Sequence, residues 1–125
     1  MAHRPQDRKT ILVVDDEPEV RNSTALLLET LGFLIIQAEN ARSAVAALEE
    51  NQGVDLLFTD LVLPGGVSGV DLARDVLAKR PDLKVLVTTG RPELVNQDEF
   101  PVISKPFRMA ELANRILKEL GEVAP

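Results

Sequence analysis

The chain has 125 residues, 45% of them hydrophobic, and a formal net charge of −6, which suits one domain with a real core and argues against a nucleic-acid surface built on bulk electrostatics. It has no cysteine, which excludes disulfides and thiol catalysis, and its one histidine, His3, leaves no histidine-based zinc cluster. No apolar run approaches the ~20 residues of a membrane helix, and the opening MAHRPQDRKT lacks the apolar stretch of a signal peptide; we therefore expect a cytoplasmic protein with no membrane insertion and no nucleic-acid partner.

Apolar runs and helical periods alternate along the chain. Residues 10–15 read as a strand and roughly 17–31 as a helix, with Asp16 as its N-cap, Gly32 as its stop, and Val20, Leu27 and Leu31 on one inward face. A strand at 34–38 leads to a helix capped by Asn40, in which Ala41, Ala44, Val45 and Leu48 have i, i+3, i+4, i+7 spacing. A strand at 55–59 precedes a helix capped by Ser68, with Val70, Ala73, Val76 and Leu77 inward. Lys79 and Arg80, at its end, read as solvated charges. After a strand at 84–88, ten residues, RPELVNQDEF, separate Gly90 from Pro101. A crossover with its helix needs at least ~10–12 residues, and this stretch is polar, so a loop or one short helical turn is expected. The chain closes with a strand at 101–104 and a helix at 108–120 that buries Met109, Leu112, Ala113, Ile116, Leu117 and Leu120.

The first, third and fourth strands are nearly unbroken Val, Leu and Ile runs, as in parallel strands covered on both faces. The order implies an α/β fold: a doubly wound, five-stranded parallel sheet, flavodoxin-like, with the fourth helix shortened or absent. Residues 1–9 read as a flexible N-terminal segment, 10–120 as the domain and 121–125 as a tail. In such sheets the ligand site lies beyond the C-terminal strand ends. Asp15, Asp16, Asp60 and Thr89 fall on that rim, and Lys105 follows the last strand. Three carboxylates, a hydroxyl and an amine are what a magnesium-dependent phosphoryl acceptor needs.

On these residues the chain resembles the receiver domain of two-component response regulators over residues 10–120. Asp15 and Asp16 match the family's acidic pair and Asp60 its phosphoacceptor. Leu63-Pro64 and Gly69 match the loop after that aspartate, Thr89 the hydroxyl residue, Gly90 the small residue after it, and Lys105-Pro106 the lysine and its proline. Three departures stand out. The loop LPGGVSG carries an extra residue, like receivers attached to hybrid histidine kinases and some single-domain relatives. The stretch from Thr89 to Lys105 is shorter than usual. Val102 stands where the family often has an aromatic switch residue.

The resemblance implies a phosphorelay protein that takes a phosphoryl group from a histidine kinase or a histidine phosphotransfer protein. It implies a signalling protein that catalyses its own phosphorylation and dephosphorylation, not a turnover enzyme. Asp60 is the candidate nucleophile. Asp15, Asp16, Asp60 and the Val62 carbonyl are the candidate Mg²⁺ ligands, since Mg²⁺ takes hard oxygen donors. Lys105 would pair with Asp60, then with a phosphoryl oxygen, and Thr89 would donate its hydroxyl. Strand alternation sends Thr88 the other way. Gly90 leaves room for the phosphate, Val62 and Arg91 are candidates for tuning its lifetime, and Pro106 shapes the turn after Lys105, its peptide open to the cis form. The exposed part of the first helix and the 106–108 turn would receive the partner, with Phe107 either a contact or a core residue. The 91–100 segment is the expected reporter of phosphorylation.

Other classes fit less well. An interaction module that works without phosphorylation would need a damaged site, and these positions are intact. A nucleotide-binding protein would carry a glycine-rich phosphate cradle where this chain has DDEPEV. A phosphatase with an aspartate nucleophile would want a second acid just beyond it, where Leu61 and Val62 stand.

Overall fold

The protein is described by a computed structural model over residues 8–121. Residues 1–7 of the expected N-terminal segment and 122–125 of the expected tail lie outside the described residues. The elements in chain order are β1 (Thr10–Val14), α1 (Pro18–Thr30), β2 (Leu34–Ala38), α2 (Ala41–Glu50), β3 (Val54–Asp60), α3 (Gly69–Lys79), β4 (Lys84–Thr89), a 3-10 turn (Pro92–Leu94), β5 (Val102–Ser104) and α4 (Met109–Glu119). The five strands form one parallel sheet in the order β2-β1-β3-β4-β5. This is the flavodoxin-like order, and its fourth crossover has only the 3-10 turn. Among the described residues, no helix is long and apolar enough to cross a membrane.

Strand alternation sorts the core into two layers. Leu12, Val14, Leu57, Val85 and Val87 face α2 and α3, while Ile11, Val13, Leu56, Phe58 and Leu86 face α1 and α4. Both sheet faces are covered, which is why the central strands carry no polar alternation. Asn40 and Ser68 cap α2 and α3 as expected, each in a reciprocal capping box with Ser43 and Asp71. Gly32 ends α1 at φ +100°, a left-handed conformation that glycine adopts at little cost.

Four expectations need correction. Glu17, not Asp16, is the N-cap of α1, and its side chain makes no capping bond. Pro18 takes the first helical position, where its fixed φ fits and its missing N–H costs nothing, so the helix starts later. The buried face of α1 is Thr24, Ala25 and Leu28. Val20 is 39% exposed and Leu31 is also outside, because both sit on the flank of the helix and not under it. Met109 is exposed at the start of α4. Arg80 is not a solvated charge. Its guanidinium donates to the carbonyls of Leu48, Asn51, Gln52 and Val54 at 2.6–3.4 Å, closing the end of α2 and its exit loop.

The short fourth link is better packed than its polarity suggested. Val95 and Phe100 are both buried in the layer that holds Leu63, Val87 and Val102. Arg74 on α3 grips Glu99 with two parallel bonds, Nε–Oε2 at 3.0 Å and Nη2–Oε1 at 2.7 Å. Two apolar side chains and one ion pair thus occupy the place of a helix.

Candidate functional site

Strand register brings the rim residues together. Val14 pairs with Thr59, so Asp15 and Asp60 follow at the same level. Asp60 pairs with Thr88 and Thr89 with Ser104, which places Lys105 one residue beyond. The connections from β1 and β3 run to opposite faces of the sheet, and a crevice opens between their ends. Asp16, Asp60, Thr89, Gly90 and Lys105 line a cavity there of about 420 Å³.

Carboxylate oxygens of Asp15, Asp16 and Asp60 lie within 4.8 Å of one another. Lys105 Nζ donates to Asp60 Oδ1 at 2.6 Å, and the Asp60 side chain is only 12% exposed. Burial pushes the Asp60 carboxyl above its ordinary value of 3.8; the Lys105 hydrogen bond opposes this, and the charges of Asp15 and Asp16 add to it. Two carboxylates at that spacing repel by about 3 kcal/mol at an effective dielectric near 20. One lysine does not balance three such groups, and a hard divalent cation fits the all-oxygen donor set.

Asp15 is buried and held on several sides. Its N–H donates to Ala38 O at 3.1 Å, its Oδ1 accepts the Glu17 N–H at 2.9 Å, and its carbonyl accepts Arg21 Nη1 at 2.8 Å. Thr89 Oγ1 accepts the Arg91 N–H at 3.0 Å, whereas Thr88 Oγ1 donates to Ile103 O at 3.0 Å. The two threonines therefore serve different partners, as alternation requires. The Val62 side chain stands 75% exposed beside the cavity. Arg91 is turned to Glu93, Nε–Oε1 3.1 Å, on the surface. A Cβ on Gly90 would meet nothing within 4 Å, which leaves that side of the cavity open. The Lys105–Pro106 peptide is cis. Phe107 is half-buried and meets Phe58 edge-on at 6.4 Å, sealing the α1–α4 layer.

Two supporting residues escaped the sequence reading. Gly69 drew notice only as part of a motif, but a Cβ there would overlap the Asp60 carbonyl oxygen, and its N–H donates to Leu61 O at 2.7 Å. Glycine is the residue that lets α3 start against the backbone of Asp60. Arg21 carried no signal, since its acceptors belong to other elements.

A profile of the response regulator receiver domain matches residues 11–117. The chain belongs to that family, and it is a receiver domain of the two-component response regulators. It is 34% identical over 118 residues to the response regulator receiver protein CpdR of Brucella abortus, covering 90% of this chain and 97% of that one. It is 35% identical to the phosphate regulon transcriptional regulatory protein PhoB of Pseudomonas aeruginosa, covering 94% of this chain and 54% of that protein. It thus spans nearly all of one relative and about half of the other. Among solved structures it is similar to the response regulator protein TrrA of Thermotoga maritima in complex with Mg²⁺ and BeF, with a TM-score of 0.79 and 30% identity over 89% of this chain and 98% of that one.

Proposed function

We propose that Asp60 is the phosphoacceptor and that the donor is a phosphohistidine on a histidine kinase or phosphotransfer protein. A carboxylate oxygen of Asp60 forms the new bond to phosphorus as the phosphorus–nitrogen bond to the donor imidazole breaks, and the imidazole leaves. The observation that carries this reading is the 2.6 Å contact of Lys105 Nζ with Asp60 inside the acidic cluster. It supplies a carboxylate, a fixed cation beside it and a divalent-cation site on one rim. Lys105 holds Asp60 before transfer and passes to a phosphoryl oxygen afterwards. Thr89 turns its hydroxyl to another phosphoryl oxygen. Asp15, Asp16, Asp60 and the Val62 carbonyl would hold Mg²⁺, which would supply positive charge against the phosphoryl oxygens. Val62 has no hydrogen-bonding side chain to orient an attacking water, and Gly90 and Arg91 flank the site. Phosphate lifetime in this reading depends mainly on the cation and on access.

The partner docks on the flank of α1 and on the 106–108 turn. Support comes from Val20, an apolar side chain exposed on the first turn of α1 beside the rim and left over from the core. The 91–100 segment reports the modification, since the Arg91 N–H hangs on the Thr89 hydroxyl.

Intact mass after incubation with Mg²⁺ and acetyl phosphate tests the reading. We expect the mass of one phosphoryl group on the wild type and none on Asp60→Asn. No gain from acetyl phosphate, together with no Mg²⁺ binding, would overturn it. Amide exchange in 91–100 that does not respond to phosphorylation would overturn the reporter role.

A further inference from the structure

We infer that Arg21 is a positioning residue that sets the cation affinity of the acidic pair; the inference rests on the Mg²⁺ reading above. Arg21 Nη1 donates to the Asp15 carbonyl at 2.8 Å and its Nε donates to Gln37 Oε1 on β2 at 3.0 Å. Its own N–H donates to Glu17 O at 2.9 Å, so the side chain springs from the regular turn at the start of α1. One guanidinium therefore ties α1, β2 and the end of β1 at a single corner.

The bonded carbonyl belongs to the peptide between Asp15 and Asp16. That peptide is a rigid plane, so pinning its oxygen fixes where the Cα of Asp16 stands. Asp15 has further anchors: its N–H goes to Ala38 and its carboxylate takes the Glu17 N–H. Asp16 is exposed, and the shared plane is what aims its carboxylate toward Asp15 and Asp60. Arg21 does not itself offer a ligand. It acts through the peptide, as groups outside a metal's ligand set commonly do, and their loss typically weakens metal binding by about 10–100-fold.

A guanidinium is a planar fork that serves two acceptors in fixed directions, whereas an ammonium is a point charge on a flexible stem. This separates positioning from simple charge. Arg21→Lys keeps the charge and loses the fork. Gln37→Ala keeps Arg21 and every carboxylate, and removes only the second acceptor from an exposed site on β2.

The test is calorimetric Mg²⁺ titration of the full chain, paired with the Mg²⁺ concentration that half-saturates phosphorylation by acetyl phosphate. Circular dichroism verifies that each variant is folded. We expect Arg21→Ala to weaken Mg²⁺ binding about tenfold and to raise the half-saturating concentration equally. The maximal rate at saturating Mg²⁺ should stay within about threefold of wild type, because the reacting groups are untouched. Arg21→Lys should recover only part of the affinity, and Gln37→Ala should weaken it by a smaller factor. An Arg21→Ala affinity within twofold of wild type overturns the inference. So does a loss confined to the maximal rate, or full recovery by Arg21→Lys, which would mean charge alone. If Arg21→Ala does not fold, an unchanged affinity in Gln37→Ala overturns it. Failure of the wild type to bind Mg²⁺ overturns the underlying site reading before any variant is compared.

Discussion

Gly69→Ala puts a methyl group where α3 meets the backbone of Asp60. The added Cβ would overlap the Asp60 carbonyl oxygen, and it would lie 2.9 Å from the Asp60 carbonyl carbon and 3.1 Å from Thr59 Cγ2. Non-bonded carbons rest about 3.5–4.0 Å apart and the overlap with the oxygen is worse, so the helix start must retreat by about 1 Å or more. The Gly69 N–H bond to Leu61 O, now 2.7 Å, then stretches past useful length. Overpacking costs about 1–3 kcal/mol and the lost bond about 1 kcal/mol. Alanine's better helix propensity returns less than about 1 kcal/mol.

The net is a loss of about 1–3 kcal/mol, read as a fall in Tm of about 4–12 °C for a domain of this size. Asp60 moves with its own carbonyl, so its 2.6 Å pairing with Lys105 loosens. A misplacement of this order lowers the phosphorylation rate by about tenfold or more. Gly90→Ala is the control, because its Cβ meets nothing within 4 Å. It should hold stability within about 0.5 kcal/mol. Urea unfolding followed by circular dichroism, with phosphorylation followed by intact mass, gives both numbers. Equal stability of the two variants would refute the claim that Gly69 is set by the approach of α3 to Asp60.

Arg80→Ala removes a donor from four carbonyls and should cost about 2 kcal/mol, since charge-assisted bonds contribute about 1.5–3 kcal/mol and two of these are long; a urea midpoint unchanged from wild type would contradict that role. Phe100→Ala should cost about 3–5 kcal/mol, as for a core aromatic, because Phe100 is 3% exposed, whereas Leu94→Ala, at a site 59% exposed, should stay within about 0.5 kcal/mol. Similar thermal shifts for the two would show that the 91–100 link is not anchored in the core. Asp60 has its folded-state pKa raised above 3.8, chiefly by burial. The native state therefore holds the proton more tightly than the unfolded chain does, and stability falls as pH rises from that ordinary value through the higher folded one. In metal-free buffer at neutral pH, Asp60→Asn should melt no lower than wild type, and a marked loss of Tm would reverse the sign. Mg²⁺ at ten times its Kd should stabilise the wild type by about 1.4 kcal/mol and Asp60→Asn by less, which a thermal melt with and without the cation reads directly.

Much of this was legible from spacing. The Val-, Leu- and Ile-rich runs located the strands, and Asn40, Ser68 and Gly32 marked helix ends because their chemistry is local. The rim residues Asp15, Asp16, Asp60, Thr89 and Lys105 were legible because a parallel sheet delivers its strand ends to one edge, so order along the chain becomes proximity in space. What failed depended on distant partners. Of the α1 stripe Val20, Leu27 and Leu31, Leu27 packs against the core but Val20 and Leu31 do not, because spacing does not say which of two adjacent apolar stripes lies over the sheet. Arg80 looked like any lysine or arginine at a helix end until the exit of α2 came beside it. Arg21 gave no pattern because its acceptors, the Asp15 carbonyl and Gln37, sit on other elements.

The short fourth link shows which parts of the fold the site depends on. Asp60, Thr89 and Lys105 are placed by strand register, and none of those pairings passes through the missing helix. The helix can therefore shrink to a 3-10 turn without moving the cluster, provided the exposed flank of the sheet stays covered. Val95 and Phe100 provide that cover, and the Arg74–Glu99 pair holds the link against α3. What the shortening changes is the route outward from Thr89. Val102 has no ring to swing, and its carbonyl is held by Arg115 Nη1 at 2.9 Å. The connection that remains runs from Thr89 Oγ1 to the Arg91 N–H and straight into the turn at Pro92. Within the proposed chemistry, a hydroxyl drawn toward a phosphoryl group changes the strength of that one bond. The segment it governs ends in two buried anchors, Val95 and Phe100. The response of the 91–100 segment then depends on how firmly those anchors hold, so Phe100→Ala should loosen the link in both states and shrink the difference that phosphorylation makes to its amide exchange.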